Sequence, residues 1–327
     1  MATTPPPAPP SPTLDLATTR APVATPRPLP DGGGHGRAIV TATWGAGAGQ
    51  LGHRRDPESV SEGPMSFIVG KTGAIVLDNV NARLARFDRQ GKPLPPIALP
   101  NAAAQDLAPG PRDGVAVLDR LRDKSLTLYD RDGSPGPSVP LVGAGVSEAG
   151  GVTGVFAARD GDLYIEREHT AWLRLIDGAG NLDASRRAAP GRPTRDGRFV
   201  SAAIVDRAAG RIRLQLFNSD GSPAWSEAID CGAPIMYIAL LDSDAAGDLF
   251  IAAHTGHESA APPYRITDET LVAIALGPSG GELGRLTLPA PPPPDEAFRD
   301  LYVGDDGTLY WMRRTPAGVE IMSYRLF

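Results

Sequence analysis

Three side chains that can hold a divalent metal fall within five residues in the stretch HTGHE: His254, His257 and Glu258. Imidazole nitrogens suit zinc, and a carboxylate such as Glu166 brought beside His254 and His257 would complete a three-ligand set. The stretch DNVN, with Asp78, Asn79 and Asn81, looks like a fragment of a calcium loop, although the later ligands of such a loop do not follow. Short polar side chains at this spacing also bond the neighbouring backbone, and holding a turn is the role expected of them. VGKTG (69–73) ends like a phosphate-binding loop, but the required Gly five residues before its Gly-Lys is Met65, and a second strand pattern follows where a helix should begin. Lys71 is therefore expected at the solvent corner of a hairpin. Nucleophilic catalysis has little support. There is no G-x-S-x-G elbow, and Cys231, the single cysteine, has no His partner apparent in the sequence.

Whether these residues meet depends on the elements that carry them. From about residue 37 the chain is a series of short β-rich runs divided by Gly turns, and no helical periodicity is sustained. The turns recur in phase. FDRQG (87–91), YDRDG (129–133), IDGAG (176–180) and FNSDG (217–221) each close a strand, with ALGPSG (275–280) as a degenerate fifth copy. A second class precedes another strand: KTGAIVLD (71–78), RDGVAVLD (112–119), RDGDLYIE (159–166), AAGDLFIA (245–252) and DDGTLYWM (305–312), with RDGRFVSAAIVD (195–206) expected in the remaining slot. A unit of about 40–47 residues built from strands and two kinds of Gly turn is a propeller blade. The expected fold is all-β, a six-bladed β-propeller with blades near 65–100, 104–142, 152–185, 186–230, 235–289 and 297–327. The last unit has only three strands, and GRAIVTATWG (36–45) is an orphan strand. The N-terminal strand is therefore expected to complete the last blade and remove an open sheet edge.

The first blade carries a family resemblance. WGAGAGQLG (44–52), EGPMSFIV (62–69) and GAIVLDNVNARLARFDRQG (73–91) resemble an NHL repeat, matching at Gly73, Val76, Asp78, Asn81, Arg83, Phe87, Asp88 and Gly91. Later blades keep the turns but lose the Asn and Arg. The resemblance implies a six-bladed propeller but no single function, since the family includes lyases, lactonase-like hydrolases, and RNA- and protein-binding modules. It also implies that loops between second and third strands, and between blades, share one face. That face would carry Asp78 and Asn81, then Asp119, Arg122 and Asp123, then Glu166, Glu168 and His169, then His254, His257 and Glu258, then Arg313 and Arg314. The longest such loop is expected at 254–268. Arg83 is expected to pack its stem along the blade and pair with an acid, and Trp172, Trp225 and Trp311 to pack within or at the edge of blades.

Composition narrows the partners. A net charge of −6 without a long basic run argues against nucleic acid and against anionic lipid. No run of about 18 apolar residues spans a bilayer. Residues 1–35, rich in Pro, Thr and Ala, read as a solvated, disordered tail, and the Pro run at 289–294 as a bridge between blades. The tail suits a periplasmic, cell-surface or secreted protein, and a monomer is expected. Function is read as a binding module that presents its loop face to a protein, peptide or glycan. The alternative is a metal-dependent lyase or lactonase-type hydrolase with calcium or zinc at the channel mouth.

Overall fold

The computed structural model describes residues 36–55, 58, 60–289 and 297–327; the Pro-rich tail and most of the 289–294 run lie outside the described residues. Strand β1 (Arg37–Thr43) comes first. Blade one is β2 (Ser66–Gly70), β3 (Gly73–Asp78), β4 (Arg83–Asp88) and β5 (Pro93–Ala98). Blade two is β6 (Asp106–Pro109), β7 (Val115–Asp119), β8 (Ser125–Tyr129) and β9 (Pro135–Pro140). Blade three is β10 (Val152–Ala157), β11 (Leu163–Arg167), β12 (Ala171–Ile176) and β13 (Ala188–Ala189). Blade four is β14 (Arg192–Pro193), β15 (Phe199–Asp206), β16 (Arg211–Phe217) and β17 (Pro223–Asp230). Blade five is β18 (Ile235–Ser243), β19 (Leu249–Glu258), β20 (Ile266–Leu276) and β21 (Glu282–Pro289). Blade six is β22 (Leu301–Val303), β23 (Leu309–Thr315) and β24 (Gly318–Tyr324), with β1 as its outermost strand.

The result is a six-bladed β-propeller of four-stranded antiparallel sheets, closed by β1 pairing with β24. Inner strands adjoin around the ring, and β2 meets β22 to complete it. Each blade forms because its turns are locally encoded. Gly73 has φ +136, and a Cβ there would stand 2.0 Å from the Phe87 carbonyl oxygen, so no other residue fits that corner. Lys71 beside it is exposed, as a hairpin corner should be. Gly197 turns β14 into β15, which places 195–206 in the second turn class. Blade two departs from the pattern: Gly114 has φ −82, and Arg112 and Asp113 take the left-handed conformation instead.

Buried apolar side chains fill the seams between blades. One cluster joins blades six, one and two, a second joins two and three, a third joins four and five, and a fourth joins five and six. Among the described residues none of these clusters crosses from blade three to blade four. That seam is held instead by the edge-on contact of Tyr164 with Phe199, at 6.0 Å between ring centres, and by Arg192 acting on blade three. Trp311 is core, and Cys231 is buried just after β17, where burial pushes its thiol up to about 11.

Candidate functional site

The cavity begins with a deficit of strand. Blade four contributes an inner strand of only two residues, so β18 packs mainly against the second strand, β15. This leaves a cavity of about 1370 Å³ at the end where inner strands start and second strands finish. Small-molecule sites more commonly occupy about 300–1,000 Å³, so the space exceeds that of a compact metabolite. Consecutive residues of β18, Met236 to Asp242, line it, although a regular strand would show only alternate side chains to one face. Register shifts at Ile235/Tyr237 and Ile238/Leu240 break that alternation.

Its axial floor is charged and mostly paired. Asp106 is buried, and its carboxylate accepts from Ser66 Oγ (2.6 Å), Leu107 N (2.9 Å), Val155 N (3.1 Å), and the Arg299 Nε and guanidinium nitrogens (3.1 and 2.7 Å). Burial opposes the charge on Arg299, but Asp106, with Asp242 and Tyr302 adding to it, holds the guanidinium pKa above its usual value. Arg299 also donates to the Val155 carbonyl and lies over the Phe156 ring, 4.8 Å from its centre. Arg192 lies over the same ring at 3.9 Å and approaches Glu166 at 3.8 Å. Gly154 leaves the room for that ring, because a Cβ there would come within 2.8 Å of it. Deeper along the axis, Arg195 sits 3.6 Å from Asp242, whose carboxylate also accepts from Val303 N at 3.1 Å.

The wall toward blades five and six differs. His254 and Tyr237 are register partners on β19 and β18, with rings stacked at 4.4 Å and 22°. His254 is only 7% exposed, lines the cavity, and has no hydrogen bond or ion pair on its imidazole among the described residues. Burial lowers its pKa against the opposing field of Asp300 and Glu269. Tyr237 is pushed up to about 12 by desolvation and then by the same two carboxylates. Burial raises Asp300, with Arg314 and His254 pulling the other way. Across the cavity, Trp172 lines blade three with its indole N–H buried and, among the described residues, unpartnered.

Of the residues expected on the loop face, the structure brings Glu166, His169 and His254 to the cavity. Glu166 is buried, accepts from Thr153 Oγ1 at 3.0 Å, and meets the exposed His169 at 3.3 Å. His257 does not join them. The stretch 254–258 is strand rather than loop, and residues three apart on a strand face opposite sides. His257 and Glu258 sit exposed on the hairpin that β19 and β20 extend beyond the blade. The trio His254, His257 and Glu166 is therefore not assembled, and among the described residues no group of three or more His, Cys, Asp or Glu is arranged to hold a metal ion. Arg122 and Glu168 are exposed away from the cavity wall, and Arg313 pairs with Glu320 at 3.8 Å.

Asp78 and Asn81 organise the blade-one lead. The fully buried Asp78 carboxylate accepts from Gly52 N (2.9 Å), Asn81 Nδ2 (2.8 Å) and Arg83 Nε (2.8 Å). Arg83 then donates to the carbonyls of Ala46, Gly47 and Gln50, and Asn81 to that of Gly45. These residues thus tie the Gly-rich stretch 45–52 to the blade. Trp172 differs from its expected packing role, since it forms cavity wall; Trp225 instead bridges blades four and five through Nε1 to the Pro278 carbonyl at 2.8 Å.

Arg192, Arg299, Asp106, Tyr237 and Asp300 were not identified from the sequence. A signal for three of them was present. Asp106, Arg192 and Asp300 each stand at or just before the start of an inner strand, where a propeller points side chains toward its axis.

No family model and no curated protein matches the sequence. Among solved structures, the chain is similar to hydrazine synthase of Kuenenia stuttgartiensis, at 13% identity and a TM-score of 0.51, over 80% of this chain and 78% of that one. It is also similar to a catalytically inactive virginiamycin B lyase from Staphylococcus aureus, solved with quinupristin, at 13% identity and a TM-score of 0.45, over 84% of this chain and 88% of that one. At 13% identity the likeness to hydrazine synthase speaks for the fold alone.

Proposed function

We propose that this protein is an NHL-like propeller that acts as a binding module and takes its ligand into the channel-mouth cavity. The observation that carries this reading is the 1370 Å³ cavity, walled by side chains from several blades that include both aromatic rings and polar groups. Its size suits a short peptide or an oligosaccharide. Aromatic faces that hold a ligand's apolar surface, with a few polar groups that orient it, are the usual composition of such sites. The metal-dependent lyase or hydrolase reading draws no comparable support, because its proposed ligands lie apart.

The test fills the cavity. Ala202 lines it from β15, and Ala202→Trp would occupy part of the space. Purified protein would be titrated calorimetrically against a panel of soluble peptides and oligosaccharides. The expected result is a panel member that binds the natural chain and loses at least about tenfold in affinity to Ala202→Trp, at unchanged melting temperature. Binding that survives the substitution unaltered would move the site elsewhere on the propeller.

A further inference from the structure

Five carboxylates line the cavity: Asp106, Glu166, Asp242, Glu269 and Asp300. Three have arginine partners within 4 Å: Asp106 has Arg299, Glu166 has Arg192 and Asp242 has Arg195. Among the described residues, no cation lies within ion-pairing distance of Glu269 or Asp300. Those two flank the Tyr237–His254 stack, and their negative charge acts on both rings. Tyr237 is 53% exposed, so it offers an open aromatic surface beside two carboxylates that no described cation contacts directly, Arg314 acting on Asp300 only through its field. A second, independent observation lies at the same spot: His254 is nine-tenths buried and faces the cavity without a hydrogen-bond partner among the described residues. A buried polar side chain normally has one, and an occupant of the cavity can supply it.

We propose that this end of the cavity is a subsite for an organic ammonium group. Asp300 and Glu269 supply its counter-charge, Tyr237 its aromatic surface, and His254 a hydrogen bond to the adjoining polar atom. An alkylammonium gains from both features, since the ring attracts the cation while the carboxylates neutralise it. The carboxylates across the cavity offer no such counter-charge, because their arginines already occupy them. A free amine and a lysine side chain share this chemistry, and the probes separate them.

The subsite rests on the cavity being the binding site, and its test is chosen to fail separately. Calorimetric titrations of the whole chain would use cadaverine, its neutral isostere 1,5-pentanediol, and the capped peptide acetyl-Gly-Lys-Gly-amide. Saturable binding of at least one ammonium probe is expected, with the diol at least about tenfold weaker. Asp300→Asn and Glu269→Gln are each expected to weaken it by about fivefold or more, and Tyr237→Leu by about threefold. Near-UV circular dichroism and melting temperature would confirm that each variant is folded. Tighter binding of the peptide than of cadaverine would assign the source to a lysine side chain, and the reverse to a free amine. Equal binding of the diol, no binding of either ammonium probe, or unchanged affinity in both carboxylate variants would overturn the subsite. If a panel ligand sensitive to Ala202→Trp bound both carboxylate variants normally, the cavity reading would stand and the ammonium subsite alone would fall.

Discussion

Arg299 and Asp106 form a two-point ion pair across the propeller axis, with nitrogen–oxygen distances of 3.1 and 2.7 Å between residues 193 apart in sequence. The same carboxylate reaches Ser66 and Val155, so one side chain binds the inner strands of blades one and three to the approach of blade six. Removing one partner leaves the other charge buried and unmatched, which typically costs about 3–5 kcal/mol. Asp106→Ala and Arg299→Ala are each expected to lose stability on that scale in urea unfolding, and the double variant Asp106→Ala with Arg299→Ala less than the two single losses combined. Strict additivity would show that the pair does not act as a unit.

Two glycines of one hairpin should respond in opposite ways. A Cβ at Gly73 meets the Phe87 carbonyl at 2.0 Å in a left-handed conformation, whereas a Cβ at Gly70 meets nothing within 4 Å. Gly73→Ala should therefore destabilise by about 2 kcal/mol or more, and Gly70→Ala should stay within about 0.5 kcal/mol of the natural chain. Thermal and urea unfolding of the pair check this directly.

Asp300 should stabilise the protein when its charge is removed. Burial raises its folded-state pKa, against the pull of Arg314 and His254. The native state therefore holds this proton more tightly than the unfolded chain does, so ionised Asp300 carries a stability penalty at neutral pH. That penalty fades as pH falls through the raised folded value toward the ordinary carboxylate value of 3.8. Asp300→Asn is expected to melt about 2–4 °C above the natural chain near pH 7.5. The two should converge as the pH approaches 4. A constant offset at all pH values would assign the effect to packing rather than ionisation.

Blades three and four should separate most easily. Their seam has no buried apolar cluster among the described residues, and β14 pairs only Arg192 with Val200 and Pro193 with Phe199. Local opening follows low local burial. Hydrogen exchange at Arg192 and the facing residues of β15 should run at least about tenfold faster than in the fully buried β7. Uniform protection around the ring would contradict this.

Much of this architecture is written locally, which is why the sequence alone determines it. Gly and Asp recur where each hairpin turns, and a turn depends on the φ angles and side-chain hydrogen bonds of a few adjacent residues. The six blades, the closing strand and the corner at Lys71 follow from that phase. The Asp78–Asn81–Arg83 cluster was visible for the same reason, with its two bonded pairs only three and five residues apart. The expected grouping of His254 with His257 does not form for a local reason too: a presumed loop is strand, and its pleat separates the two rings. Only the tertiary structure decided the site itself. Closing the ring brings residues from separate blades to one axis, so Asp106 meets Arg299, while among the described residues Glu269 and Asp300 have no arginine within ion-pairing distance. No local pattern encodes which charges are matched there, because that depends on six sheets converging and on the single short inner strand that opens space among them.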